Sequence, residues 1–230
     1  MCWNAPARSP GATVLKLVAL DMDGTLVDVA SSWAAVHAHY GERNDEGLRR
    51  FLADEIDDEE FIRSDIVIWH RHAPQLDLGE LQGILDRVPL MPGAARLMDG
   101  LRSRGVRTAI VSGGIDLLAR RIARELGIDV ALANGFRVDR HGRLTGEGIV
   151  RVPIHGKQKV LDGLQQQLGI APEETASVGN SSIDVGLFRQ SRLGIAFLPE
   201  DDEVRRQADR VIVDRDLGLV LGALDGFPSH

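Results

Sequence analysis

Asp21 and Asp23 head the stretch Asp21-Met22-Asp23-Gly24-Thr25-Leu26-Val27, directly after the apolar run Leu15-Lys16-Leu17-Val18-Ala19-Leu20. The apolar run has the length and β-forming character of a buried strand, so both carboxylates emerge at its carboxyl end, where open α/β sheets bind ligands. Side chains two apart point to opposite faces of a continuing strand, but Gly24 permits a break that turns both acids toward one pocket. Two neighbouring acids repel unless a cation sits between them, and a hard divalent ion such as Mg²⁺ is the natural partner. Taken alone, these residues could also form a turn with a solvated acidic edge.

Three later stretches carry complementary groups. Ser112-Gly113-Gly114 follows the strand-like run Val106 to Val111; its hydroxyl and backbone N–H groups suit a phosphate oxygen, although the same residues make ordinary strand-to-helix turns. Lys157 opens a helical stretch reaching Leu168, a position where the macrodipole disfavours a cation unless an anion lies between them. Lys159 lies roughly 200° away around that helix, so only one of the two lysines can face a pocket. Asn180 and Asp184, after the run Thr175 to Val178, both offer oxygen to Mg²⁺, with an Asx turn as the plainer alternative.

The elements that must hold these groups follow from periodicity. Between Asp28 and Pro89 no strand is evident, and four helices are expected: Ser31 or Ser32 to Tyr40, Glu46 to Ala53, Asp58 to Arg71, and Leu76 to Val88. The acidic run Asp57-Asp58-Glu59-Glu60 reads as a solvated helix cap. His37 with His39, and His70 with His72, are spaced two apart, so neither pair can chelate one ion on a helix. They read as surface or satisfied polar groups. Trp33, Phe61 and Trp69 are expected to form the block's small core or its inner face.

Strand and helix then alternate: helix Ala94 to Arg104, strand Val106 to Val111, helix Ile115 to Leu126, strand Asp129 to Ala133, and a hairpin from Phe136 to Val138 and Leu144 to Ile149. After the Lys157 helix come strand Thr175 to Val178, a helix to Gln190, strand Leu193 to Phe197, helix Asp202 to Ala208 and strand Arg210 to Val213. The expected fold is α/β, a doubly wound parallel sheet with a helical cap inserted after the first strand. The corresponding division is an extension over 1–13, a core of 14–27 and 90–230, and a cap of 28–89 that serves as a lid.

Composition narrows the function. A formal net charge of -7 over 230 residues argues against general nucleic-acid binding, which relies on excess Lys and Arg. No apolar run is long enough to span a bilayer, so no membrane role is expected. A single cysteine, Cys2, excludes an internal disulfide and suits a reducing compartment. Residues 1–13 lack the apolar centre of a signal peptide and read as a flexible extension, giving a cytoplasmic expectation.

In order along the chain, Asp-x-Asp-Gly-Thr, Ser-Gly-Gly, Lys and Gly-Asn-x-x-x-Asp resemble the four signatures of the haloacid dehalogenase superfamily. Val111-Ser112-Gly113-Gly114-Ile115-Asp116, Leu144-Thr145-Gly146 and Gly194-Ile195-Ala196-Phe197 are similar to its phosphoserine phosphatase-like branch, and the likeness covers roughly residues 16 to 220. The resemblance implies that Asp21 is a nucleophile forming an aspartyl-phosphate, that Asp23 is the general acid and base, and that Ser112, Gly113 and Lys157 bind the phosphoryl group. It further implies that Asp21, the Asp23 carbonyl, Asn180 and Asp184 hold Mg²⁺.

The chain departs from that pattern in places. The family usually has aspartate where Asn180 stands, which predicts weaker Mg²⁺ binding, and Ile183 occupies a place that is often Asn in the phosphoserine branch. Ala30 and Ile68 fall where phosphoserine phosphatases carry the glutamate and arginine that hold the substrate's amino and carboxylate groups. A small phosphomonoester is therefore the expected substrate, with phosphoserine specificity in doubt, and Ser31, Ser32, Trp33, Arg63 and Trp69 are the candidate cap residues facing it. A phosphotransferase or phosphomutase on the same core, and a non-catalytic phosphometabolite-binding protein, are the alternatives. Hydrolytic dehalogenation needs no Mg²⁺ and leaves Asp23 unexplained, and a dinucleotide-binding oxidoreductase lacks its Gly-x-Gly-x-x-Gly turn.

Overall fold

The computed structural model describes residues 14–225 and Phe227, so the expected extension over 1–13 lies outside the described residues. Seven strands, β1 (Leu17–Leu20), β2 (Arg107–Ile115), β3 (Val130–Val138), β4 (Leu144–Ile149), β5 (Thr175–Gly179), β6 (Leu193–Phe197) and β7 (Arg210–Ile212), form one sheet in the order β4-β3-β2-β1-β5-β6-β7. All pairings are parallel except β3 with β4. The chain winds outward from β1 through β2 and β3, then restarts at β5 on the other side. That reversal lies at the β1/β5 boundary, the position where open α/β sheets leave a crevice at their carboxyl ends.

The strand sequences explain the burial. In β1, Leu17 and Ala19 face one core and Val18 and Leu20 the other, so LVAL is buried on both sides, as a central parallel strand requires. Helices α5 (Ala94–Ser103) and α6 (Asp116–Leu126) supply Leu97, Leu101, Leu118 and Ile122 to one face. On the other, α7 (Lys157–Leu168), α8 (Val185–Arg189) and α9 (Asp202–Gln207) contribute Leu161, Leu187 and Val204.

Between β1 and α5 the chain is helical: α1 (Ser32–His39), α2 (Asp45–Leu52), α3 (Asp58–His72) and α4 (Leu78–Leu85). Each starts on a side-chain cap, from Ser31, Asn44, Asp57 and Asp77 respectively, that takes up an otherwise unpaired N–H. Asp57 and Glu60 form a reciprocal capping box, the role expected for the acidic run. The block joins the sheet domain through two adjacent segments: Val27 bridges Leu90, and the Asp28 N–H donates to the Pro89 carbonyl.

Two local expectations are corrected, and one further turn and helix go unanticipated by the sequence. β2 does not end at Val111 but runs on through Ser112-Gly113-Gly114 to Ile115, with its register against β3 shifting between Val111 and Ile115. The small residues let extended backbone continue past a bulge in place of the expected turn into a helix. β3 is one strand in place of the expected two, because the Asn134 side chain satisfies neighbouring backbone and holds the chain extended. The turn over Leu217–Leu219 and helix α10 (Val220–Ala223), too short to show periodicity, bury Leu217 and Val220 beside α5.

Candidate active site

Asp21 and Asp23 leave β1 into a tight turn at Gly24, which adopts φ +71 and allows Leu26 and Val27 to bond back to the Met22 carbonyl. Two constraints require glycine there. The positive φ disfavours any side chain, and a Cβ would fall 2.2 Å from Asn180 Nδ2. Gly24 therefore brings the first and last of the four motif loops into contact.

Lys157 is buried at the start of α7 and its ammonium donates to Asp21 Oδ1 and to Asp184 Oδ1, each at 2.6 Å. Lys159 is exposed, which resolves the choice between the two lysines. Burial pulls the Lys157 ammonium down, but Asp184 and Asp21 outweigh it and raise it above its ordinary value. Burial pushes the Asp21 carboxyl up to about 7, against the pull of Lys157. Asp23 is also raised by burial, partly offset by the Ser32 N–H and hydroxyl, both donating to its Oδ2 at 2.8 Å.

Ser32 does more than hold Asp23. Its hydroxyl accepts from the Ile115 N–H at 3.0 Å, so one side chain ties α1 to the Asp21–Asp23 loop and to the end of β2. Gly114 is what admits this packing: a Cβ there would lie 2.7 Å from Ser32 Oγ and 2.8 Å from Asp23 Oδ2. Ser112, buried beneath, accepts from the Gly114 N–H. Gly113 meets no close contact at its Cβ position; its carbonyl accepts from Trp33 Nε1 and Asn134 Nδ2.

Asn134 belongs to no motif, yet it organises the site. Its amide donates to the Gly113 and Val152 carbonyls and accepts from the Arg151 and Val152 N–H groups, at 2.9 to 3.1 Å. It thus clamps the Ser-Gly-Gly segment to the chain entering the Lys157 helix. Glu200 is equally invisible to motif reading: its Oε1 accepts from Asn180 Nδ2 at 3.0 Å, and partial desolvation of its carboxyl, on an otherwise exposed residue, raises its pKa. Both lie far in sequence from what they hold, and an asparagine within a strand or a glutamate after one gives no periodic signal.

Whether the site suits a divalent cation can be judged from its charges. Three buried carboxylates, Asp21, Asp23 and Asp184, face one ammonium, and Asp23 Oδ1 is buried without a hydrogen-bond partner. Negative charge is in excess, the condition a hard dication relieves. Among the described residues no three His, Cys, Asp or Glu side chains could hold an ion by themselves. A dication would therefore draw on the Asn180 amide oxygen and the Asp23 carbonyl beside the Asp21 and Asp184 carboxylates, and the donor set fits.

These groups open on a cavity of about 610 Å³ roofed by α1, α2 and α3. Ala30, Ser31 and Trp33 line it. Three expected cap residues do not. Ser32 is fully buried, its hydroxyl spent between Asp23 and the Ile115 N–H. Arg63 lies on the exposed side of α3 in an ion pair with Glu147 at 2.8 Å, and Trp69 is fully buried, stacked on Trp33 at 5.8 Å. The α3 helix turns its apolar face to the cap core and its charged face to solvent, which carries Arg63 away. Ile68 also lies outside the lining.

The fold is that of an α/β enzyme, with carboxylates gathered at the carboxyl edge of its parallel sheet. A family model for haloacid dehalogenase-like hydrolases matches residues 18–189, and the chain belongs to that family. It is similar to the phosphoserine phosphatase of Methanocaldococcus jannaschii, 29% identical over 209 residues that cover 90% of this chain and 96% of that protein. Similarity to the phosphoserine phosphatase of Archaeoglobus fulgidus is 30% over 184 residues, 79% of this chain but 52% of that protein, so the match spans about half the relative's length. A solved phospho-aspartyl intermediate analogue of phosphoserine phosphatase superposes with a TM-score of 0.75 at 26% identity, covering 91% of this chain and 99% of that one.

Proposed function

We propose that this hydrolase cleaves a small phosphomonoester through an aspartyl-phosphate on Asp21, with Asp23 as acid and base. The observation that carries the reading is the burial of both aspartates beside the Lys157 ammonium, with Ser112 and Gly113 on the adjoining strand end. A carboxylate oxygen of Asp21 attacks phosphorus as the ester's P–O bond breaks, and Asp23, its pKa raised by burial, gives its proton to the departing oxygen. Asp23 then takes a proton from water, whose oxygen attacks phosphorus and releases Asp21 and inorganic phosphate. Lys157, the Ser112 hydroxyl and the Gly113 N–H stabilise the equatorial oxygens in both displacements. Bound Mg²⁺, held by Asp21, the Asp23 carbonyl, Asn180 and Asp184, would neutralise charge on the transferring group.

The helices over the cavity are held to the site, since Ser32 donates to Asp23 and Trp33 donates to the Gly113 carbonyl, fastening α1 to both strand-end segments. Phosphoserine itself is less well supported, because Ala30 lines the cavity where a partner for its amino group would be expected. The test is phosphate release from a panel of small esters with and without Mg²⁺, with Asp21→Asn as the blank. Metal-dependent turnover lost in the variant is expected; turnover equal to the blank on every ester would overturn the reading.

A further inference from the structure

We propose that the cap half of the cavity is a subsite for an organic ammonium group, so that the preferred phosphomonoester carries a basic or quaternary nitrogen on its leaving group. The inference rests on the phosphatase reading and adds the substrate's chemistry to it. A cavity of about 610 Å³ is far larger than a phosphoryl group needs and is of the size that holds a whole small ligand. Its cap end therefore receives the leaving group.

Asp65 of α3 dominates that end. It lines the cavity at only 3% exposure, and its Oδ1 accepts from His37 Nε2 and from Asn44 Nδ2, each at 2.7 Å. Trp69 Nε1 donates to His37 Nδ1 at 3.2 Å, and because an indole can only donate, that nitrogen is the acceptor and the proton sits on Nε2. The imidazole is neutral. Both partners of Asp65 are thus uncharged, and among the described residues nothing donates to its Oδ2. A buried carboxylate facing a cavity with no cation beside it is costly, and a cationic ligand removes that cost.

The surroundings favour the same occupant. Trp33 and Phe61 place aromatic rings in the wall, and ring faces attract ammonium groups. Asp58, whose Oδ1 accepts from the Ile154 N–H, adds negative charge. The one cap arginine in the lining, Arg43, is mostly exposed and paired with Asp45, so a carboxylate on the leaving group would meet repulsion within and no free cation.

The test compares kcat/KM of the full chain for choline phosphate, its uncharged carbon isostere 3,3-dimethylbutyl phosphate, and phosphoserine, with p-nitrophenyl phosphate as a general ester. Choline phosphate is expected to exceed the isostere by about tenfold and to exceed phosphoserine. Asp65→Asn, whose amide oxygen can still accept from His37 and Asn44, is expected to shrink the choline-to-isostere ratio severalfold. A wild-type ratio of one or below overturns the proposal, as does a preference that survives Asp65→Asn, which would assign the nitrogen to the Asp21 end. If no ester, p-nitrophenyl phosphate included, is hydrolysed, the phosphatase reading fails separately. The same pair titrated calorimetrically against Asp21→Asn protein then decides the subsite, as it does if Asp65→Asn does not fold. Tighter binding of the ammonium ester supports it, and equal binding overturns it.

Discussion

Replacing Asn180 by aspartate restores the residue type usual in the family, yet the surrounding structure is built for an amide. Asn180 Nδ2 donates to Glu200 Oε1 at 3.0 Å, and an aspartate has no hydrogen to offer there. The substitution deletes one hydrogen bond, worth about 1 kcal/mol, and sets two carboxylates against each other. At ~4 Å that repulsion lies between ~1 and ~4 kcal/mol for effective dielectrics of 80 and 20, and the exposure of Glu200 places it at the low end. Without metal, Asn180→Asp should therefore destabilise the fold by about 2 kcal/mol, roughly 4–8 °C in Tm for a chain of this size. Glu200→Gln alone keeps an acceptor for Nδ2 and should change little, whereas the double variant regains a donor facing the new carboxylate and should recover most of the loss. Urea denaturation in EDTA across this cycle measures the coupling, expected at about 1.5 kcal/mol. Additive single effects, with coupling below about 0.3 kcal/mol, would refute the reasoning. With Mg²⁺ present the sign reverses for binding: the added charge should tighten the metal, and tighter binding by the unmodified chain would refute the view that Asn180 weakens the site.

Lys157→Met should cost the metal-free protein about 3–5 kcal/mol, because Asp21 and Asp184 lose their shared ammonium while staying buried; denaturation with and without Mg²⁺ should show the metal restoring part of it. The same variant should lower kcat by about 10²-fold or more in steady-state assays, since the charge on the transferring phosphoryl group loses its ammonium. Gly24→Ala should destabilise by about 1–3 kcal/mol through its positive φ and displace Asn180, which lies 2.2 Å from the new Cβ, so Mg²⁺ titration should show weakened activation at temperatures where the fold is intact. Asn134→Ala should leave two backbone N–H groups and two carbonyls without their partner, costing about 2 kcal/mol or more, and should raise the KM for esters by loosening Gly113; unchanged KM at full folding would remove its positioning role.

The sheet is legible in the sequence because burial shows in composition. LVAL, TASVG and LGIAF are continuous runs of apolar or small residues, the mark of a strand enclosed on both faces, and Lys157 and Gly169 bound α7 in the sequence as they do in the fold. The helices between β1 and α5 are likewise readable from Ser31, Asp57 and the spacing of apolar residues, since capping and periodicity are local properties. The order of the four motif loops points to one sheet edge because parallel connections return every strand end to the same side. Local pattern misjudges continuity, however: Ser112-Gly113-Gly114 and Asn134-Gly135 read as breaks, yet both stay extended because partners distant in sequence satisfy their backbone.

The type of chemistry is therefore set by the sequence, through the aspartates, the lysine and the asparagine placed after successive strands. Which side chains share a charge, which arginine of the cap turns away, and where a carboxylate is buried without a cation are decided only by tertiary packing. Asp65, His37, Asn44 and Trp69 meet across the cap helices and the loop before α2, and Asn180 meets Glu200 across a strand and a loop. Hydrogen bonds and desolvation depend on distances between elements, and a linear pattern carries only the distances within them.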